Sequence, residues 1–394
     1  MLDVVIRGGT IVDGSGEPGG PGDVAIRDGR VVALGRVGEP AARTIDVEGQ
    51  VVAPGFVDLH THYDAQLFWD PHLTPSPLHG VTSVIAGNCG LTLAPVGHAP
   101  EDEDFLTRLL ARVESIPVEA LQAGLDYRWR SYPEFLDVVE RLPHAVNVGF
   151  MVGHSAIRRA VMGPAASTDP ADPDQLHAMR RLLSQAIAAG GLGFSTCNVA
   201  TQLDGDGRPT PPNAATNREM IALAAVCGDH PGTSIEFIPD SFLWGFSDEE
   251  IELMADMSAA ADRPLNWNTP LVNPAVPDLH RRQLAASDAA QERGRRVVPM
   301  FIPQNGQFQH DLRGYVFRPL PGWGWLFDLD VPRRIQALSD PVKRKQLEES
   351  AAPRPAGWLS WCATGAATGS TRCTPSRCGP WSAGASTTSP ASGA

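Results

Sequence analysis

The chain has 394 residues, 42% of them hydrophobic and 20% charged, which is enough for one large domain with a substantial core and a smaller appendage. A formal net charge of −13 argues against nucleic acid or an anionic membrane surface as the main partner. The N-terminus, Met-Leu-Asp-Val-Val-Ile-Arg, lacks the basic start and apolar stretch of a secretory leader, and no segment reaches transmembrane length. A cytoplasmic location with no membrane partner is therefore expected. The six cysteines are scattered and form no disulfide framework, so reduced thiols are expected.

Residues 1–53 read as short strands and tight turns. Val4-Val5-Ile6, Val24-Ala25-Ile26 and Val31-Val32-Ala33-Leu34 are β-rich, and Asp28-Gly29 is a hairpin signal. This piece is expected to be a small β-sandwich segment leaning on something larger. From Gly55 the rhythm becomes strand, loop, helix, with strands expected at 55–60, 81–87, 145–152, 191–196, 233–238, 263–268 and 296–302. Leu176, Met179, Leu182, Leu183 and Ile187 fall at helical spacing behind Pro173, and Ser247-Asp-Glu-Glu250 is a capping box. Alternation of this kind indicates an α/β fold with a parallel sheet, and seven strands favour a closed (β/α)8-type barrel over an open sheet. Residues 91–143 exceed a normal crossover and are expected to add helices over the barrel mouth, one of them outlined by Phe135, Leu136, Val139 and Leu142.

The final stretch, 351–394, contains no Asp, Glu, Lys, Val, Ile, Phe or Met. Such a composition builds neither an amphipathic helix nor a barrel strand. It suits a disordered tail or an out-of-frame reading of a GC-rich gene. Three cysteines and three tryptophans within it favour the second, and with it a barrel incomplete at the C-terminus. The expected division is thus 1–53, 54–350 and 351–394.

The chemistry concentrates in Pro54-Gly-Phe-Val-Asp-Leu-His-Thr-His-Tyr-Asp64. An apolar run after a Pro-Gly turn reads as a buried strand, and His60 and His62 then project from one side of it. Two neutral imidazoles on one face at a strand end are a ready pair of metal ligands, where a lone His would more often be a satisfied core residue.

That stretch resembles the first-strand metal motif of the amidohydrolase superfamily. Gly80-Val-Thr-Ser-Val-Ile-Ala-Gly-Asn-Cys-Gly90 and Gly153-His-Ser-Ala-Ile-Arg-Arg-Ala-Val-Met-Gly163 look like segments of its D-aminoacylase, or N-acyl-D-amino-acid deacylase, branch. The resemblance covers residues 1 to about 350. It implies a metal-dependent hydrolase barrel, a small β-sandwich built from both chain ends, one or two divalent ions (zinc first among them), and a small-molecule substrate such as an N-acyl amino acid. It also implies that His60, His62 and Cys89 are metal ligands. A thiolate beside a dication is deprotonated, whereas a free Cys is otherwise a small buried hydrophobe.

Two departures stand out. Where the deacylases carry histidines on the fifth and sixth strands, this chain has Thr233-Ser-Ile-Glu-Phe-Ile-Pro-Asp240 and Arg263-Pro-Leu-Asn-Trp-Asn-Thr-Pro-Leu271. Alternation turns Glu236 away from Ile235 and Phe237, so it can serve as a metal ligand, as a catalytic base or as a salt-bridged structural acid. Asn268 is expected to bind substrate. The superfamily's eighth-strand Asp has no counterpart before the anomalous tail, and Asp328 and Asp330 lie in a Trp-rich loop-helix region. In the third-strand motif, His154 and Arg158 are candidates for substrate contact, Arg158 being equally suited to capping the barrel rim. Two other readings remain: a hydrolase of cyclic amides from the same superfamily, and a truncated, catalytically impaired remnant.

Overall fold

The computed structural model describes residues 1–242, 245–270, 278–302, 317–318 and 320–351, so nearly all of the anomalous tail lies outside the described residues. The chain divides into two compact units, Met1–Gly306 and Gln307–Ala394. The N-terminal strands and the barrel strands both lie in the first of these units.

That unit opens with β1 (Leu2–Ile11), β2 (Gly20–Arg27), β3 (Arg30–Gly35), β4 (Ala41–Asp46) and β5 (Val51–Val52). Asp28 and Gly29 both take positive φ and turn β2 into β3, as the Asp-Gly pair predicts. The strands form one sheet in the order β3-β2-β1-β4, with β5 also on β1. Among the described residues the expected sandwich is therefore a single sheet, with a small core of Leu2, Val5 and Ala25.

Seven parallel strand segments follow, one for each predicted strand. They are β6 (Phe56–Asp58), β7 (Val81–Ala86), the nearly continuous pair β8 (Asn147–Phe150) and β9 (Val152–Gly153), β10 (Gly193–Cys197), β11 (Ser234–Ile238), β12 (Leu265–Asn268) and β13 (Val297–Met300). They are hydrogen-bonded in chain order, β6-β7-β8 and β9-β10-β11-β12-β13. Met151 joins the two runs, its amide donating to the Ala86 carbonyl at 2.8 Å. This is the strand order of a (β/α) barrel.

The residues 91–143 carry α1 (Glu101–Val113), α2 (Val118–Gly124) and α3 (Tyr132–Glu140), the last buried through Phe135 and Val139. Between the later strands run α4 (His154–Met162), α5 (Pro173–Ala188), α6 (Asn217–Ala224), α7 (Asp248–Ala261) and α8 (Leu279–Glu292). Reciprocal capping boxes start three of these helices: Ser131 with Glu134, Asp172 with Gln175, and Ser247 with Glu250. On β11, Ile235 and Phe237 enter the apolar layer shared with the helices, while Glu236 turns to the opposite side.

In the second unit, a 3-10 turn Gly324–Asp328 precedes α9 (Val331–Ser339) and α10 (Pro341–Ala351). Leu326, Phe327, Ala337 and Leu347 form its core, and the Trp323 indole donates to the Leu347 carbonyl at 2.9 Å. Asp328 ends the 3-10 turn and Asp330 caps α9, so neither stands on a strand. No helix among the described residues is long and apolar enough to cross a membrane.

Candidate metal centre

Beyond β6 the chain stays hydrogen-bonded to β7 through Thr61, whose amide and hydroxyl donate to the Ile85 carbonyl at 2.9 and 2.8 Å. Residue 61 thus faces the neighbouring strand, and His60 and His62 project to the other side together, their rings 5.2 Å apart. Buried Asn88 latches the same segment. Its amide nitrogen donates to the carbonyl of Ile85 at 3.0 Å and to those of Leu59 and Thr61, each at 3.4 Å.

The loop after β7 brings the sulfur to this pair. Gly87, Cys89 and Gly90 all have left-handed backbone, with φ of 77°, 55° and 71°. At Gly87 a side chain is excluded, because a Cβ would sit 2.4 Å from the Met151 carbonyl oxygen. Cys89 adopts the same region without a glycine's freedom, at a cost of about 1–2 kcal/mol. Tertiary contacts hold it there. The Cys89 amide donates to Glu236 Oε2 at 2.9 Å, and the Gly90 amide donates to Ser195 Oγ at 2.7 Å. That hydroxyl in turn donates to Glu236 Oε2 at 2.9 Å.

Cys89 Sγ then lies 3.3 Å from His60 Nε2 and 3.7 Å from His62 Nε2. One ligand atom from each of the three residues falls within 4.8 Å of the others. Two imidazole nitrogens and a thiol are a donor set that suits zinc, with a fourth position left open. The rear nitrogens support the same reading. Nδ1 of His60 and Nδ1 of His62 are buried without hydrogen-bond partners. Each faces a carboxylate, Glu236 Oε1 at 3.9 Å and Glu114 Oε1 at 3.6 Å respectively.

Electrostatically the cluster is set for a cation. Burial, aided by the neighbouring charge of His62, lowers the His60 pKa to about 3. Burial also pushes the Cys89 thiol well above its ordinary value and Glu236 up to about 8. Asp64, wholly buried beside His62, is raised by burial to about 7. Burial thus favours the neutral form of each group; a dication reverses that preference for the Cys89 thiol and the two carboxyls and reinforces it for His60, whose neutral ring is the ligand form.

Three sequence expectations change with this geometry. Glu236 stays outside the three-residue cluster. One of its oxygens is committed to Cys89 and Ser195, and the other faces the rear nitrogen of His60, so it stands behind the ligands rather than among them. His154 is fully buried between Thr196 Oγ1 and Glu219 Oε1, both at 2.8 Å. Arg158 is fully buried as well. It donates to Glu219 Oε1 and Oε2 at 2.5 and 2.6 Å and to the carbonyls of Ala166 and Asp169 at 3.1 and 2.5 Å. These two side chains close an internal network instead of presenting themselves to a substrate. Asn268 is at the site, its amide nitrogen 3.5 Å from His60 Nε2, whereas Asn266 donates to the Ile235 carbonyl at 3.1 Å.

Sequence reasoning missed Glu114, Ser195, Asn88 and Glu219. Ser195 carried no signal in the sequence, because only the register of β10 on β11 sets it opposite Glu236. Glu114 carried none, because it ends a helix of the long insert.

The model of the amidohydrolase family matches residues 43–313. The chain is 38% identical over 235 residues to the D-aminoacylase of Alcaligenes xylosoxydans xylosoxydans, an alignment covering 59% of this chain and 43% of that enzyme. It thus spans less than half the length of that relative. Among solved structures it resembles a D-aminoacylase studied for the functional role of its binuclear metal centre, with a TM-score of 0.60 and 30% identity. It also resembles the N-acyl-D-glutamate deacylase of Bordetella bronchiseptica complexed with zinc and a phosphonate inhibitor, with a TM-score of 0.61 and 27% identity. Each of these two alignments covers 77% of this chain and 59% of the other.

Proposed function

The chain belongs to the amidohydrolase family, in its D-aminoacylase branch, and on that premise we propose that it is a metal-dependent hydrolase of a non-peptide C–N bond, with an N-acyl-D-amino acid as substrate. The observation that carries this reading is the convergence of His60 Nε2, His62 Nε2 and Cys89 Sγ at the ends of the first two barrel strands. Catalytic sites of barrels stand at that end, where loops from several strands meet.

His60 and His62 would hold one divalent ion, zinc, through Nε2, and Cys89 would hold it as the thiolate. Bound there, the ion supplies Lewis acidity to a carbonyl and to water. The single negative charge of Cys89 would offset half of a dication's charge, so the ion with its three ligands would keep a net positive charge toward the carbonyl oxygen of an N-acyl amino acid. Asn268, beside His60 Nε2, offers its amide to a polar group of a substrate on the same face. Glu236 keeps the Cys89 amide and the His60 ring in place. The eighth-strand carboxylate that the family resemblance assigns to proton transfer has no counterpart among the described residues.

The test is zinc content and turnover of the purified chain against N-acyl-D-amino acids and hydantoins, with Cys89→Ala alongside. Zinc-dependent deacylation that Cys89→Ala abolishes is expected. Hydantoin turnover without deacylation overturns the substrate assignment, and turnover indifferent to chelation overturns the metal assignment.

A further inference from the structure

We infer that Glu114, the residue at the end of insert helix α1, is a positioning residue that fixes the ring of His62 for metal binding. The inference rests on the metal-site reading above and extends it to a side chain outside every motif.

Local chemistry gives no reason for an acid at this place. Glu114 is the C-cap of α1, where exposed carbonyls give the helix end a partial negative charge and a cation is favoured. The following residue, Ser115, takes φ of 55°, a conformation that helix ends ordinarily assign to glycine. The Ile116 amide closes the turn by donating to the Ala111 carbonyl at 3.0 Å. Both residues therefore go against the local preference, and together they aim the Glu114 carboxylate at the metal cluster.

The target is a single atom. His62 turns Nε2 toward Cys89 Sγ, which leaves Nδ1 pointing backward, buried and without a hydrogen-bond partner. Glu114 Oε1 stands 3.6 Å from it. When Nε2 of a neutral imidazole holds a metal, Nδ1 carries the hydrogen and needs an acceptor. A carboxylate in that position selects the tautomer and locks the ring. A contraction of a few tenths of an ångström turns the present contact into that hydrogen bond. His60 shows the same arrangement with Glu236 Oε1 behind its Nδ1, so the two ligands are backed by carboxylates from unrelated parts of the chain. The insert between the second and third strands thereby becomes part of the metal site.

The experiment compares the full-length chain with Glu114→Gln, Glu114→Asp and Cys89→Ala. Zinc affinity is read by competition with a chromophoric chelator, the cobalt-substituted proteins by their visible and near-ultraviolet spectra, and the metal-free proteins by thermal melting. Glu114→Gln is expected to bind zinc about 10–100-fold more weakly, keeping the thiolate-to-cobalt band because Cys89 still ligates, and melting like wild type without metal. Glu114→Asp should recover part of the affinity. If Glu114→Gln binds zinc as tightly as wild type while Cys89→Ala does not, the positioning role fails and the metal site stands. If wild type and Cys89→Ala bind zinc alike, the metal site itself fails. A metal-free melting temperature lowered in both Glu114 variants would make the residue a packing element and overturn the inference.

Discussion

Cys89 and Glu236, 147 positions apart, are joined by a hydrogen bond of 2.9 Å from the backbone amide of the first to a carboxylate oxygen of the second. This contact holds a non-glycine residue in left-handed backbone and aims its sulfur at two histidines. Removing it should be visible twice. Glu236→Ala strips partners from a partly buried amide and a buried hydroxyl, and is expected to cost about 1–3 kcal/mol per orphaned group in urea unfolding. It should also weaken zinc binding by at least about tenfold. Wild-type affinity in that variant would separate Glu236 from the site.

Arg158 allows a clean choice between two roles. Its guanidinium neutralises Glu219, and both side chains are buried. Arg158→Met leaves Glu219 uncompensated, with an expected loss of about 3–5 kcal/mol in stability, and Glu219→Gln in the same chain should restore much of it. A substrate-binding arginine would behave in the opposite way, raising KM with stability intact.

Gly87→Ala tests the turn that delivers Cys89. The new Cβ would meet the Met151 carbonyl oxygen at 2.4 Å, so the loop must move. Gly49→Ala is the control, because its φ of +78° nearly matches the +77° of Gly87 but nothing lies within 4 Å of a Cβ there. Gly49→Ala should cost only the backbone strain, about 1–2 kcal/mol, and leave zinc binding alone. Gly87→Ala should cost more and reduce zinc affinity; equal effects from the two would remove the steric argument.

Glu250 provides a pH signature away from the metal cluster. Burial works to raise its pKa, but hydrogen bonds from Ser241 and Ser247 outweigh this and hold the carboxyl below its ordinary value of 4.5. Its folded pKa is depressed, so its contribution is present above the unfolded value near pH 4.5 and is lost as pH falls through the lowered folded value. Glu250→Ala should destabilise α7 by about 1 kcal/mol at neutral pH, a difference that narrows in denaturation curves taken on the acid side of that window.

The outermost barrel strands predict solution behaviour. Among the described strands, β6 pairs only with β7 and β13 only with β12. Phe56 and Val57 on β6 are 61% and 54% exposed, and Phe301 just beyond β13 is 67% exposed. Among the described residues these apolar edges stay unpaired, and such edges associate, so the chain expressed as given should be poorly soluble, with only weak deacylation in the fraction that stays in solution. Phe56→Lys with Phe301→Lys should raise the soluble yield without changing the circular dichroism spectrum. Full solubility of the unaltered chain with complete zinc-dependent turnover would contradict this expectation.

Much of the architecture was legible in the sequence because it rests on local regularities. Strand runs such as Val81–Ala86 and capping boxes such as Ser247 with Glu250 are properties of a few consecutive residues, and all seven predicted barrel strands are present. The His60 and His62 pair was equally readable, since a period of two puts both rings on one side of an extended segment whatever surrounds it. What surrounds it was not. Glu114 reaches His62 from the end of an inserted helix, Glu236 faces the rear of His60 from the fifth strand, and Glu219 draws His154 and Arg158 into the interior. These placements depend on how distant segments pack once the sheet has curved. Spacing along the chain says which way a side chain points from its own strand, and only the packed fold decides what stands opposite it.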